Sequence, residues 1–126
     1  MFVSRRGARF LLLVLAMCSM WVTTPLSATT PYTPSWMSMH PYYCYGEVWM
    51  SWAPSTGATY YEAEQSDYSD FIPSWIVYEG PGTYFFHDGG YGGIDGFNYY
   101  RVRACNANGC SDFRDGGAVY TYDPCL

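Results

Sequence analysis

Between residues 98 and 105 the chain alternates without a break. Tyr100, Val102 and Ala104 are apolar, and Arg101 and Arg103 between them are charged. Successive side chains of a strand point to opposite faces, so this run predicts a strand with one buried and one exposed side. It ends at Cys105. Cys110 follows after Asn106-Ala107-Asn108-Gly109, four residues of types that tolerate left-handed backbone. A strand that turns back here pairs with its successor in an antiparallel sheet.

The same period recurs. In 47–52, Val48, Met50 and Trp52 share one face and Trp49 takes the other. In 59–65, Tyr61 and Ala63 point inward, and Glu62 and Glu64 share the outer, solvated face. Short runs at 75–79, 83–87 and 118–122 follow, separated by Pro54-Ser55-Thr56-Gly57, by a polar irregular stretch over 67–73, and by Gly80-Pro81-Gly82. Residues 29–41 are rich in Pro, Ser and Thr and read as an extended tail or a first edge strand, where proline is tolerated. Beyond the chain start no window shows apolar residues at helical spacing. The pattern predicts an all-β, immunoglobulin-like two-sheet sandwich of about seven strands. Its expected core is Val48, Met50, Trp52, Tyr61, Ala63, Tyr100, Val102 and Ala104.

The chain start is of another kind. Arg5, Arg6 and Arg9 precede an apolar run over 10–22, and Leu26-Ser27-Ala28 supplies small residues. This predicts a secretory signal peptide over 1–28, cut after Ala28. The run is shorter than the ~20 residues of a spanning helix, so no stable membrane insertion is expected after cleavage. Ser4-Arg5-Arg6 also resembles a twin-arginine signal, and Leu15-Ala16-Met17-Cys18 a lipoprotein box. The sequence does not choose among these export routes; the expected product is secreted, extracellular or periplasmic.

Removing that segment changes the charge balance. The chain has no lysine, so Arg101, Arg103 and Arg114 remain against eleven acids, a net of 3 − 11 = −8. Such a surface repels phosphate backbones, so no nucleic-acid partner is expected. Four cysteines remain, Cys44, Cys105, Cys110 and Cys125, and in a short exported chain they imply two disulfides. Three pairings are possible. The four-residue turn favours Cys105 with Cys110, which leaves Cys44 with Cys125. No pair has the CxxC spacing of a zinc site, and no metal or other cofactor is expected.

Particular residues resemble a fibronectin type III domain. They are Val48-Trp49-Met50-Ser51-Trp52 with Pro54, Tyr61-Glu62-Ala63-Glu64-Gln65-Ser66, and Trp75-Ile76-Val77-Tyr78 with Gly80. The most specific run is Tyr99-Tyr100-Arg101-Val102-Arg103-Ala104-Cys105-Asn106, continuing to Gly109-Cys110-Ser111, similar to disulfide-bearing bacterial members. The resemblance spans 34–125. Together with the leader, the expected organisation is a signal over 1–28, an extended tail over 29–40 and a fibronectin type III-like domain over 41–126. The resemblance also implies that Trp52 is the core tryptophan of the second strand. Two positions depart from the family: Asn98 stands at the tyrosine corner, and Phe113 stands where a tryptophan usually follows the hairpin.

Candidate chemistry is sparse. His87 and Asp88 adjoin, but neighbours on a strand point to opposite faces, and His87 reads as a surface residue at a strand end. Glu62 and Glu64 are two residues apart, a carboxylate pair with nothing to desolvate it. The stretch Gly89-Gly90-Tyr91-Gly92-Gly93-Ile94-Asp95 reads as a crossover loop. No catalytic residue is assigned, and the chain is not expected to be an enzyme. The aromatics carry the functional signal. Trp36, Tyr42, Tyr43, Tyr45, Trp49, Tyr60 and Trp75 cannot all face one small core. Exposed rings bind sugars and peptides, with charged groups at the rim. The candidate binding surface is therefore Trp49, Trp75, Tyr60, Arg101 and Arg103. The two arginines can stack on rings there or balance Glu62 and Glu64 across strands. The expected function is a secreted, non-catalytic binding or adhesion module for a protein or glycan surface. The alternative is an inhibitor or effector of an extracellular enzyme, acting through the 106–109 hairpin or the 89–96 loop.

Overall fold

The computed structural model describes residues 29–42, 47–87 and 96–121. The leader, Cys44, Cys125 and the glycine-rich stretch over 89–95 lie outside them. The described residues form eight strands: β1 (Met37–Tyr42), β2 (Glu47–Trp52), β3 (Tyr60–Ser66), β4 (Trp75–Gly80), β5 (Tyr84–His87), β6 (Gly96–Asn106), β7 (Gly109–Cys110) and β8 (Arg114–Thr121). All pairings are antiparallel. β1-β2-β5 make one sheet, and β4-β3-β6 make the other, with β7 and β8 both paired to β6.

The alternating residues meet between the sheets. Val48, Met50 and Trp52 from β2 face Tyr61 and Ala63 from β3 and Tyr100, Val102 and Ala104 from β6, with Val119 of β8 at the margin. Trp52 lies between the rings of Tyr61 and Tyr78, at 5.9 and 5.4 Å. Burying a large apolar side chain of this kind contributes about 1.5–3 kcal/mol, so this cluster is the main source of stability.

Beside the apolar core lies a buried polar knot. Asn98, at the position where the resemblance implies a tyrosine corner, is fully buried. Its amide donates to Thr121 Oγ1 at 3.0 Å and to the Gly96 carbonyl at 3.2 Å. Its Oδ1 accepts from Gln65 Nε2 at 2.9 Å, and the same nitrogen reaches Asp67 Oδ1 at 3.0 Å. The amide thus ties β3, β6 and β8 together from the inside.

The structure redraws the ends of the domain. The expected boundary between a tail over 29–40 and a domain from 41 falls inside β1, whose residues Met37 to Tyr42 pair with Trp52 to Glu47. Residues ahead of β1 belong to the sandwich as well. Pro34 is fully buried, its carbonyl accepts from Arg114 Nε at 2.8 Å, and the Trp36 carbonyl accepts from the Ala53 amide. The last strand begins at Arg114, four residues before the expected 118. Two glycines hid it. A Cβ at Gly116 would stand 2.8 Å from Met37 Sδ, and Gly117 takes φ +85° opposite Tyr100, where the register shifts by a bulge. The glycines therefore mark close approach and a bulge, not a loop.

Cys105 and Cys110 face each other across β6 and β7 and form a disulfide.

Candidate functional site

Both sheets turn aromatic side chains outward. On the three-stranded sheet, the register sets His40, Trp49 and Phe86 in one row and Ser38, Ser51 and Tyr84 in the next. Trp49 and Phe86 are cross-strand neighbours with ring centroids 4.7 Å apart. Trp49 is 46% exposed and Tyr84 68%. Ser38 Oγ lies 3.2 Å from His40 Nε2. The three strands carry a single formal charge, Glu47. The result is an open face of rings and hydroxyls.

The outer face of the five-stranded sheet is closed around Arg101 and Arg103, while the paired rings of Phe97 and Tyr120 at its other end stay exposed. Glu64 stands opposite Arg101, and Glu62 opposite Arg103. Arg101 Nη2 binds Glu64 Oε2 at 2.7 Å, and Arg103 Nη2 binds Glu62 Oε2 at 2.5 Å. Both glutamate side chains are only 12% exposed, so the solvated face expected for them is corrected. The reason lies above them. The Arg101 guanidinium is held between the rings of Phe71 and Phe113, at 4.2 and 3.9 Å, and Phe113 also lies 4.7 Å from Arg103. The two roles weighed for the arginines are both filled inside the molecule. Phe113 does here what its place after the hairpin suggested, packing as a ring without an N–H donor.

Phe71 reaches Arg101 from the β3–β4 connection at a cost. Its φ is +58°, a left-handed conformation costing a bulky residue about 1–2 kcal/mol. A hydrogen bond from its amide to the Tyr68 carbonyl and the contact with Arg101 hold it there. Ser66 Oγ to the Pro73 carbonyl and Ser74 Oγ to Glu64 Oε2 fix the rest of the connection. With Phe71 turned in, Tyr68, Ile72, Trp75 and Ile76 remain exposed.

The candidate surface residues are thus separated. Trp49 lies on the open sheet face. Trp75 begins edge strand β4, opposite Gln65. Tyr60 sits partly buried opposite Cys105 on the other sheet. The residues that complete the Trp49 surface, Phe86, Tyr84 and His40, were not singled out from sequence. The run Tyr84-Phe85-Phe86-His87 is aromatic at every position, so no alternation showed which rings face out.

His87 is corrected from a surface to an inward position. It stands opposite Val48, its Nδ1 lies 3.2 Å from the Tyr100 hydroxyl, and its ring stacks on Phe85. Burial, with Asp67 adding to it, pushes the Tyr100 hydroxyl well above the usual tyrosine range, so it stays protonated. This pair packs the sandwich end. Glu62 with the sulfurs of Cys105 and Cys110 is the one cluster of potential metal-ligand groups among the described residues. Its sulfurs are joined to each other and its carboxylate is held by Arg103. The 106–109 hairpin is also engaged: Asn106 Nδ2 donates to the carbonyls of Thr29 and Gly57.

The sequence matches no family model and no curated protein. Solved structures do match. The crystal structure of FN3tt superposes with a TM-score of 0.63 at 19% identity, over 75% of this chain and 97% of that one. The solution structure of a human fourth FNIII domain gives 0.65 at 20% identity, over 88% and 95%. The FN5 domain of Drosophila Lar gives 0.58 at 17% identity, over 73% and 97%. Two antiparallel sheets, this strand order and these neighbours show that the chain has the fibronectin type III fold.

Proposed function

We propose that this chain is an exported, non-catalytic module that recognises a protein or glycan surface through the open face of its three-stranded sheet. The observation that carries the reading is the row His40–Trp49–Phe86 with Tyr84 beside it, a face with one formal charge on which His40, Trp49 and Tyr84 are exposed and Phe86 is partly buried. Such rings stack on apolar sugar faces or flat peptide groups, and Ser38 and Ser51 offer hydroxyls beside them. The fold alone names no ligand, so the reading rests on this face. The basic, apolar and small-residue order of residues 1–28 supports export. The Cys105–Cys110 disulfide fits an oxidising compartment, and no helix among the described residues is long and apolar enough to cross a membrane.

The test is binding of the exported protein to arrayed glycans and immobilised extracellular proteins, beside Trp49→Ala. The expected result is retention by one ligand class that falls about tenfold or more in the variant. Retention unchanged by Trp49→Ala sinks the proposal.

A further inference from the structure

The second exposed apolar region is an edge strand, and it stands apart from the face proposed above. Among the described residues β4 ends the five-stranded sheet, so on either side of an irregularity at Val77 alternate residues turn their backbone N–H and C=O groups away from β3. Proteins usually blunt such an edge with proline, lysine, a bulge or brevity. In the other sheet β1 carries Pro41, and β5 has four residues. β4 has six residues, no proline inside it and no lysine; its one interruption is at Val77, and it exposes Trp75 and Ile76, 48% and 53%.

Charge sorts the possible occupants. Asp70 and Glu79 are exposed, Asp70 on the connection into β4 and Glu79 within the strand, and neither meets an arginine among the described residues. Arg101 and Arg103 are committed to Glu64 and Glu62, and Arg114 to the Pro34 carbonyl. A second copy of the chain would bring the same acids to the edge with no lysine to offset them. The edge is also held ready. The β3–β4 connection that leads into the edge is held by its own hydrogen bonds and by the Phe71–Arg101 contact, so little ordering remains to be done on binding.

We infer that β4 is a strand-addition site for an extended segment of another protein that alternates lysine or arginine with apolar residues. The segment's backbone completes the free ladder of β4. Its apolar side chains cover Trp75 and Ile76, and its cations face Asp70 and Glu79.

The probe is a synthetic octapeptide alternating lysine and valine, titrated by calorimetry into the exported protein at low salt. Its controls are the glutamate–valine counterpart and a lysine–valine peptide N-methylated at alternate backbone nitrogens. Binding is expected for the first peptide only. It should weaken about tenfold or more in the double variant Asp70→Lys, Glu79→Lys, and stay unchanged in Trp49→Ala, which separates this site from the open face. Equal binding of the glutamate peptide, indifference to N-methylation, or no binding of the lysine peptide would overturn the inference. Self-association of the free chain at low salt, abolished by Ile76→Lys, would also overturn it by making a second copy the occupant. The N-methylation arm needs no folded variant.

Discussion

Both sheets turn aromatic rings outward, and they use them in opposite ways. On the five-stranded sheet Phe71 and Phe113 enclose Arg101, and the arginines in turn cover Glu62 and Glu64. Rings and charges satisfy one another over that part of the face, and only its far end leaves a ring pair, Phe97 and Tyr120, exposed. On the three-stranded sheet Trp49 and Phe86 touch each other, Trp49 is half exposed and Phe86 partly buried, and among the described residues no arginine or carboxylate contact to either ring is seen. The difference shows that aromatic content alone does not locate a binding surface in this fold. What matters is whether a charged partner on the same face has already claimed the ring.

The comparison makes graded predictions. Substitutions on the closed face should cost stability, and those on the open face should cost binding. Arg101→Ala should be the most damaging, at about 2–4 kcal/mol. It strands the nearly buried Glu64 and frees Phe71 from its contact, while the 26% exposure of Arg101 keeps the loss below that of a fully buried pair. Urea unfolding measures it; a loss under about 1 kcal/mol would mean the face is closed by packing alone. Asn98→Ala should follow at about 2–3 kcal/mol, because Gln65 and Thr121 lose their buried partner. Tyr100→Phe should cost about 1 kcal/mol at neutral pH for the lost contact with His87. It should also change the alkaline limb. The folded state holds Tyr100 protonated beyond the unfolded value near 10, so the unfolded chain releases this proton first. The wild-type contribution is whole below about pH 10 and is lost as pH rises past it, and the variant should show a shallower decline. Trp49→Ala should be the mildest, about 0.5–1 kcal/mol for the cross-strand ring pair, while ligand retention collapses. A large destabilisation with binding intact would erase the contrast between the faces.

Much of the fold was legible because the strands that build the core alternate. Residues 47–52 and 98–105 showed their faces directly, and Glu62 and Glu64 could be matched to Arg101 and Arg103 by sign. What escaped notice did so for identifiable reasons. Met37, Ser38, Met39 and His40 form a strand, but their proline-rich surroundings and weak polarity contrast read equally as a tail. Gly116 and Gly117 interrupt a strand pattern because the sheet approaches Met37 closely there. Phe71 meets Arg101 from thirty positions away through a left-handed residue, and no periodic pattern encodes such a contact. The open face was half visible, through Trp49, and its neighbours were masked by a run in which every residue is aromatic.

The arginine placement has a practical corollary. C-terminal to residue 28, trypsin has three sites: Arg101 and Arg103 lie inside paired β6, and Arg114 opens β8, each with its side chain engaged. Cutting at Arg101 or Arg103 must wait for the sheet to come apart, whereas Arg114 needs only its strand end to fray. The rate of tryptic cleavage at the two β6 sites therefore reads out opening of the sheet without any added label.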